Sequence, residues 1–431
     1  MLQPLSKLIR PTSSTSIGPH HTAATCDNKS EETTVHPLGR AAWRILARGC
    51  AALGLSATFL LAGCQNFFVC QKASCPSGGG GSTTSDWAYV SNASAGSTDI
   101  YAYDIGNGSL AAVSGSPYNI GFAPVAMSVA PSDSFLYAAT LPSVANPGIY
   151  MWTVNSSGQL TVGNNGNALI TAQVATMDIS PDGNFLFTVD VLGTALTEYQ
   201  INTTTGFLTL ASSFALLPNS TCVAAGSPVS QSCTVKVAPS GQFVVAALGS
   251  AGDIIYPYNS SQGITSTSAT QIPSGSTTTN PTGDYSLALD KNNFVYIART
   301  AALAVYSLDA NGNPTQQSTQ AYSSSAIPRS VTLSTNYSWV YTANIGAGNI
   351  SGYTIGSTGG LASVSGSPFT GPTNVSAIGA DKSGTYMVAV GYNGTSGVQL
   401  FTIGTSGALT LTTSAGTGTS PSFPAILALS H

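Results

Sequence analysis

Between His36 and His431 the sequence contains no histidine, and the other two, His20 and His21, also lie near the start. That long stretch therefore lacks the side chain most used as a general base near neutral pH and as a metal ligand. Charge is scarce as well, since Asp, Glu, Lys and Arg make up only 6% of the 431 residues. From Cys64 onward six Lys or Arg face thirteen Asp or Glu. No basic stripe remains to neutralise phosphates, so nucleic acid is not an expected partner. The uncharged run from Gly49 to Gly63 falls short of the roughly 20 apolar residues that a membrane-spanning helix needs. The seven cysteines include no CxxC pair and have no histidine beside the clustered ones, which argues against zinc. What the chain does have is 42% hydrophobic residues, 46 glycines and 23 prolines, with β-formers between the glycines. That composition favours many short strands joined by tight turns.

The first part of the chain reads as an export signal and tether. Arg40, Arg44 and Arg48 precede the Gly49 to Gly63 run, matching the basic and apolar regions of a secretory signal. The run ends in Leu61-Ala62-Gly63-Cys64, which resembles the lipobox of bacterial lipoproteins, so Cys64 is the expected lipidation site and a membrane is contacted through that anchor. Residues 40–63 are thus assigned as signal peptide, residues 64–86 as lipidated cysteine plus Gly/Ser-rich tether, and residues 1–39 as an N-terminal extension of unassigned status. Cys70 with Cys75 and Cys222 with Cys233 are close enough in sequence to close small disulfide loops outside the cytoplasm.

Beyond residue 86 the chain repeats. Each unit has an apolar strand, a tight turn and a strand that opens on an aromatic residue, as in Met177-Asp178-Ile179-Ser180-Pro181-Asp182-Gly183-Asn184-Phe185. The opening aromatics are Trp87, Phe135, Phe185, Phe243, Phe294, Trp339 and Tyr386, spaced 48, 50, 58, 51, 45 and 47 residues apart. A third strand carries aromatic-x-aliphatic, as at Tyr199-Gln200-Ile201 and Phe401-Thr402-Ile403, with the unit around Tyr258 degenerate. A Gly turn then leads to a fourth strand, as at Gly407-Ala408-Leu409-Thr410. Seven four-stranded units that each need neighbours on both faces predict an all-β, seven-bladed β-propeller over residues 87–431. The first unit starts with its second strand, and its missing first strand is supplied by Ala425 to Ser430, so the ring is closed by pairing the two ends.

This geometry sorts the rare charges. Asp133, Asp182, Asp290 and Asp381 fall in first-to-second turns on one face of the disc and read as turn formers. Asp190, Asp253, Asp284, Arg299 and Arg329 fall at strand ends on the opposite face, which carries the longer loops. Arg299 and Arg329 are expected to converge near the central channel, where two guanidiniums suit a carboxylate or phosphate, unless each instead pairs with a carboxylate such as Asp284 or Asp190. Asp178 and Lys236 share a register in adjacent units and are expected to form an inter-blade ion pair.

The units as a set, with Ser180-Pro181-Asp182-Gly183, Tyr341-Thr342-Ala343-Asn344, Tyr353-Thr354-Ile355 and Ser365-Gly366-Ser367-Pro368-Phe369, resemble the seven-bladed lactonase-like propellers, which include 6-phosphogluconolactonase-type and muconate-cycloisomerase-type enzymes. Ile327-Pro328-Arg329-Ser330-Val331 is similar to the family's Pro-Arg-His segment, which makes Arg329 a candidate anion-binding or catalytic residue. The histidine position holds Ser330, and Ile345 stands after Asn344 where members often carry a glutamate. Lactone hydrolysis needs an activated water, and with no internal histidine Asp190 or Glu198 is the candidate substitute base. No Ser-His-Asp arrangement, metal-ligand cluster or phosphate-cradling loop is evident, so no cofactor is expected. Two functions follow. One is a monomeric, lipid-anchored envelope protein that binds a small anionic or saccharide ligand or another envelope protein. The other is a hydrolase or isomerase of a small anionic sugar lactone using Arg299, Arg329 and Asp190 or Glu198.

Overall fold

The computed structural model describes residues 86–94, 97–140, 146–217, 222, 233–274, 283–322, 326–395, 397–417 and 424–431. The expectations placed on residues 1–39, on the signal at 40–63, on Cys64, Cys70 and Cys75 and on the tether up to residue 85 lie outside them. The rest is strand and turn, with a single three-residue 3₁₀ turn at Asn164–Gly166. Seven antiparallel sheets follow one another along the chain, each with its strands in sequence order, except that the first borrows its innermost strand from the C-terminus.

The innermost strands are Leu427–Leu429 for blade one, then Pro124–Val129, Val174–Ile179, Cys233–Val237, Asp284–Leu289, Pro328–Leu333 and Ala377–Ala380 for blades two to seven. Each packs against the innermost strands on its two sides, and Leu427–Leu429 touches both Pro124–Val129 and Ala377–Ala380, so the ring is closed. All seven aromatic anchors open their blade's second strand, at Trp87, Phe135, Phe185, Phe243, Phe294, Trp339 and Tyr386. The degenerate unit is regular in register: Tyr256 pairs with Val244 as Tyr199 pairs with Leu186. There the third strand reads Tyr256-Pro257-Tyr258, aromatic-x-aromatic, and Tyr258 stands edge-on to Phe185 and Phe187 of blade three.

The anchors hold one blade to the next. In six of the seven blades the turn between the third and fourth strands lies directly over the anchor of the preceding blade, and in blade four Gly263 lies over Glu198 instead. A Cβ at Gly158 would sit 2.4 Å from the Trp87 ring, and Gly158 has a φ of +74°. Only glycine satisfies both the left-handed backbone and the close approach. The contact that joins blade seven to blade one is of the same kind, with Gly108 over Tyr386. Tyrosines two residues after the anchors add a hydrogen bond across the same seams, the Tyr89, Tyr137 and Tyr341 hydroxyls donating to the carbonyls of Gly158, Gly206 and Gly407 at 2.9, 2.8 and 2.8 Å. Those three tyrosines are fully buried, and each contributes on the order of 1.5–3 kcal/mol by leaving water.

Closure of the ring is a matter of backbone pairing. Ala88, Tyr89 and Val90 pair with Leu429, Ala428 and Leu427, and the Ser430 N–H donates to the Trp87 carbonyl at 3.0 Å. Side chains reinforce both ends of this pairing, since the Trp87 N–H donates to Ser430 Oγ and the Ile426 N–H to Ser91 Oγ, each at 2.8 Å. The last residue crosses to blade two, where the His431 N–H donates to Asp133 Oδ1 at 2.7 Å, while Lys382 of blade seven lies 3.5 Å from Asp133 Oδ2. Deleting residues 425–431 therefore removes an entire inner strand. We expect a broadened melting transition at lower temperature by calorimetry; an unchanged melt would rule out closure by this strand. Gly158→Ala, a strained and overpacked substitution, is expected to cost at least about 2 kcal/mol in chemical denaturation.

Candidate functional site

The seven innermost strands enclose an axial channel of about 510 Å³. Hydroxyl side chains on or beside these strands link blade five to six, six to seven and seven to one. The Val331 N–H donates to Ser286 Oγ, the Ile378 N–H donates to Ser330 Oγ, and the Ser376 hydroxyl donates to the Ala425 carbonyl. Between blades three and four the link is ionic. Lys236 Nζ lies 3.0 Å from Asp178 Oδ1, and the Val237 N–H donates to Asp178 Oδ2 at 2.9 Å. Short hydroxyls suit this place because the inner strands converge tightly and their outward backbone groups need partners.

A recurring β-bulge shapes the end of the channel on the long-loop side. In blades two, three, five and six the pairing of first and second strands slips at the second residue of the first strand, at Val125, Ala175, Tyr285 and Arg329. A bulge inserts one extra residue into a strand and re-aims its side chain. Val125, Tyr285 and Arg329 line the channel. Arg329 lies over the Tyr285 ring, with its guanidinium carbon 4.8 Å from the ring centre. Burial draws the Arg329 guanidinium below its usual range, opposed by the nearby Tyr285 and Tyr392 phenols, while burial raises Tyr392 against the pull of Arg329. The result is a half-buried cation on an aromatic platform at the channel mouth. The two positions at which the chain departs from the lactonase-like pattern are also there. Ser330 is one of the hydroxyl links between blades six and seven, and Ile345 contributes an apolar wall.

The other candidate residues are arranged differently. Arg299 is not part of the channel lining. Its Nε is 3.0 Å from Asp284 Oδ1, one amino group donates to the Pro273 carbonyl at 2.8 Å, and the other donates to the Tyr306 hydroxyl at 3.3 Å. The two guanidiniums therefore do not meet: Arg299 takes the carboxylate pairing, and Arg329 alone reaches the channel. Asp190 closes a turn, its carboxylate accepting from the N–H groups of Thr194 and Ala195 and from the Thr194 hydroxyl at 2.6–2.9 Å. Glu198 is buried between blades three and four, where Oε2 accepts the Ile264 N–H at 3.2 Å and burial raises its carboxyl. Neither carboxylate lines the channel. Cys222 and Cys233 form a disulfide, and Cys233 opens blade four's innermost strand. Among the described residues no group of three or more His, Cys, Asp or Glu could hold a metal ion.

Three residues of this region escaped sequence reasoning. Tyr285 and Tyr392 look like two more aromatics of the core series, although Tyr285 precedes its anchor by nine residues as Arg329 precedes its own by ten. His431 folds back to line the turn-side end of the channel, with its ring Nε2 3.0 Å from the Val129 carbonyl. That placement follows from ring closure, which carries the C-terminus to the axis.

No family model matches the chain, and no curated protein matches it in sequence. Solved structures do match. A Bacteroides fragilis protein assigned as a 6-phosphogluconolactonase superposes with a TM-score of 0.63 at 14% identity, over 81% of this chain and 99% of its own. A Bacteroides uniformis protein with the same assignment gives 0.61 at 15% identity over 80% and 99%. The periplasmic gluconolactonase of Pseudomonas aeruginosa gives 0.59 at 16% identity over 80% and 99%. At such low identity the likeness is one of fold. The chain is a seven-bladed β-propeller whose structural neighbours are 6-phosphogluconolactonase-like proteins.

Proposed function

We propose that this propeller is a lipid-anchored envelope protein that binds a small anionic ligand, such as a sugar acid, at the Arg329 mouth of its channel without converting it. The observation that carries this reading is the Arg329 guanidinium held over Tyr285 in a concave, hydroxyl-rich opening. A half-buried guanidinium offers paired donors to a carboxylate or phosphate, and the tyrosine supplies an apolar face for a sugar ring. Catalysis is disfavoured by the same arrangement. Asp190 and Glu198 are engaged away from the channel, and Asp178, which lines it, is already bonded to Lys236 and Val237. The fold likeness to a periplasmic gluconolactonase, the Cys222–Cys233 disulfide and the lipobox-like Cys64 support an exported, anchored protein. Lactone hydrolysis at the same mouth is the second reading, supported by the family-like segment around Arg329 and by the names of the structural neighbours.

Calorimetric titration with aldonates, uronates and phosphorylated sugars is expected to give binding that Arg329→Ala weakens at least about tenfold, near 1.4 kcal/mol. In a pH-stat the same protein is expected to release no acid from sugar lactones. Acid release that vanishes in Arg329→Ala would replace the binding reading with the hydrolase one, and ligand binding indifferent to Arg329 would remove the mouth as the site. Radiolabelled palmitate is expected to enter the wild-type chain and not Cys64→Ala; equal labelling of both would discard the anchor.

A further inference from the structure

Behind the channel mouth, on the long-loop side, lies a cluster that the ligand reading does not use. Asp253 opens the third strand of blade four, Asp284 opens the innermost strand of blade five, and Arg299 closes the second strand of blade five. The Asp284 N–H donates to the Gly249 carbonyl at 3.1 Å, which draws the two blades together at this point. Both carboxyl groups are fully buried, and the Arg299 side chain is 15% exposed. We propose that Asp253, Asp284 and Arg299 form a proton-holding latch across the seam between blades four and five, closed while the carboxyl pair keeps one proton and loosened when that proton leaves.

The argument begins with charge. Two carboxyls share one guanidinium in a dry interior, so full ionisation would leave an uncompensated negative charge there, at a cost of several kcal/mol. Arg299 is committed to Asp284, facing Oδ1 with Nε at 3.0 Å and donating to Oδ2 at 3.4 Å. Its other bonds go to the Pro273 carbonyl and the Tyr306 hydroxyl. Among the described residues, neither Asp253 oxygen receives a bond from an N–H or hydroxyl group. An ionised Asp253 would thus have no donor among them, whereas a protonated one donates its O–H to Asp284. Burial first, and the Asp284 charge second, hold Asp253 well above the ordinary carboxyl range, with Arg299 opposing them. Tyr306 lies on the far side of Arg299, and among the described residues Asp284 and Arg299 are the charged groups that act on Asp253.

When the proton is lost it passes to solvent, and the seam is left with two carboxylates facing one guanidinium. Asp284 is followed at once by the bulged Tyr285, on which Arg329 rests, so a shift of Asp284 is transmitted to the channel mouth. The latch concerns the unliganded protein and stands whether or not the mouth binds an anion. Because the folded protein binds this proton more tightly than the unfolded chain, stability from Asp253 is greatest in acid and is lost as pH rises above about 4.

The test compares the wild-type chain with Asp253→Asn between about pH 5 and about pH 9, a range above the ordinary aspartate value. The asparagine amide donates to Asp284 as the protonated acid does, and it cannot ionise. The melting temperature of the wild type is expected to fall below that of Asp253→Asn as pH rises, with the gap widening across the range. Infrared difference spectra are expected to show a protonated-carboxyl band in the wild type that Asp253→Asn lacks. Amide exchange at Gly252 and Tyr285 should accelerate with pH beyond its intrinsic rate in the wild type alone. Parallel melting curves, or spectra without that band, would overturn the latch. Asp284→Asn leaves one carboxylate for one guanidinium and should also lose the alkaline sensitivity. If Asp253→Asn does not fold, a wild-type-like pH profile in Asp284→Asn overturns the proposal instead.

Discussion

A four-stranded blade of this chain can be stable only with another blade on each side, and the contact that supplies this is one aromatic ring seated beneath the next blade's glycine turn. Trp87 under Gly158 and Tyr386 under Gly108 are two instances on opposite flanks of blade one. The contact is directional, running from the second strand of one blade to the outer turn of its successor, so repetition fixes the rotation between blades. Six such steps, together with Tyr258 packed against Phe185 and Phe187 at the seam between blades three and four, bring the last blade against the first, and the C-terminal strand then fills the one empty position inside blade one. Closure leaves each blade only a short inner edge, turned toward the narrow channel and flanked on both sides by the neighbouring inner strands.

The ring also explains why the charges are arranged as they are. The inner strands approach the axis so closely that short hydroxyls can bond to the neighbouring backbone, which is what Ser286, Ser330 and Ser376 do. Position 330 is therefore taken up by holding blade six to blade seven. Where the inner strands bulge, a residue is released from this lacing and turned toward the axis. Arg329 stands at one such bulge, and Tyr285 on the adjacent blade is the ring it rests on. Arg299, only one strand away from Tyr285, sits in regular pairing and is drawn instead to the buried Asp284.

The likeness to gluconolactonase-type propellers covers nearly the whole length of those proteins while preserving few of their residues. This is what the physics of the repeat leads one to expect. Blade packing constrains one aromatic, one glycine turn and an alternation of apolar residues per unit, all of which lie within the blades. The residues that face the channel are constrained only by size and by hydrogen bonding to the next strand, so chemistry can change there without disturbing the ring.

The sequence by itself determined what is local or periodic. The aromatic anchors mark the first residue of every second strand, and the lone strand at Ala425 to Ser430 announced the closure, because spacing and alternation are properties of the chain. It also paired Asp178 with Lys236, since equal register in adjacent repeats implies proximity. Only the tertiary structure decided which strand ends bulge, and hence that Arg329 faces the axis and Arg299 does not. It alone brought Asp253 beside Asp284 and carried His431 to the channel. Those outcomes depend on desolvation and on distances across blade seams, and no one-dimensional pattern encodes which of two carboxylates a guanidinium will reach once both are buried.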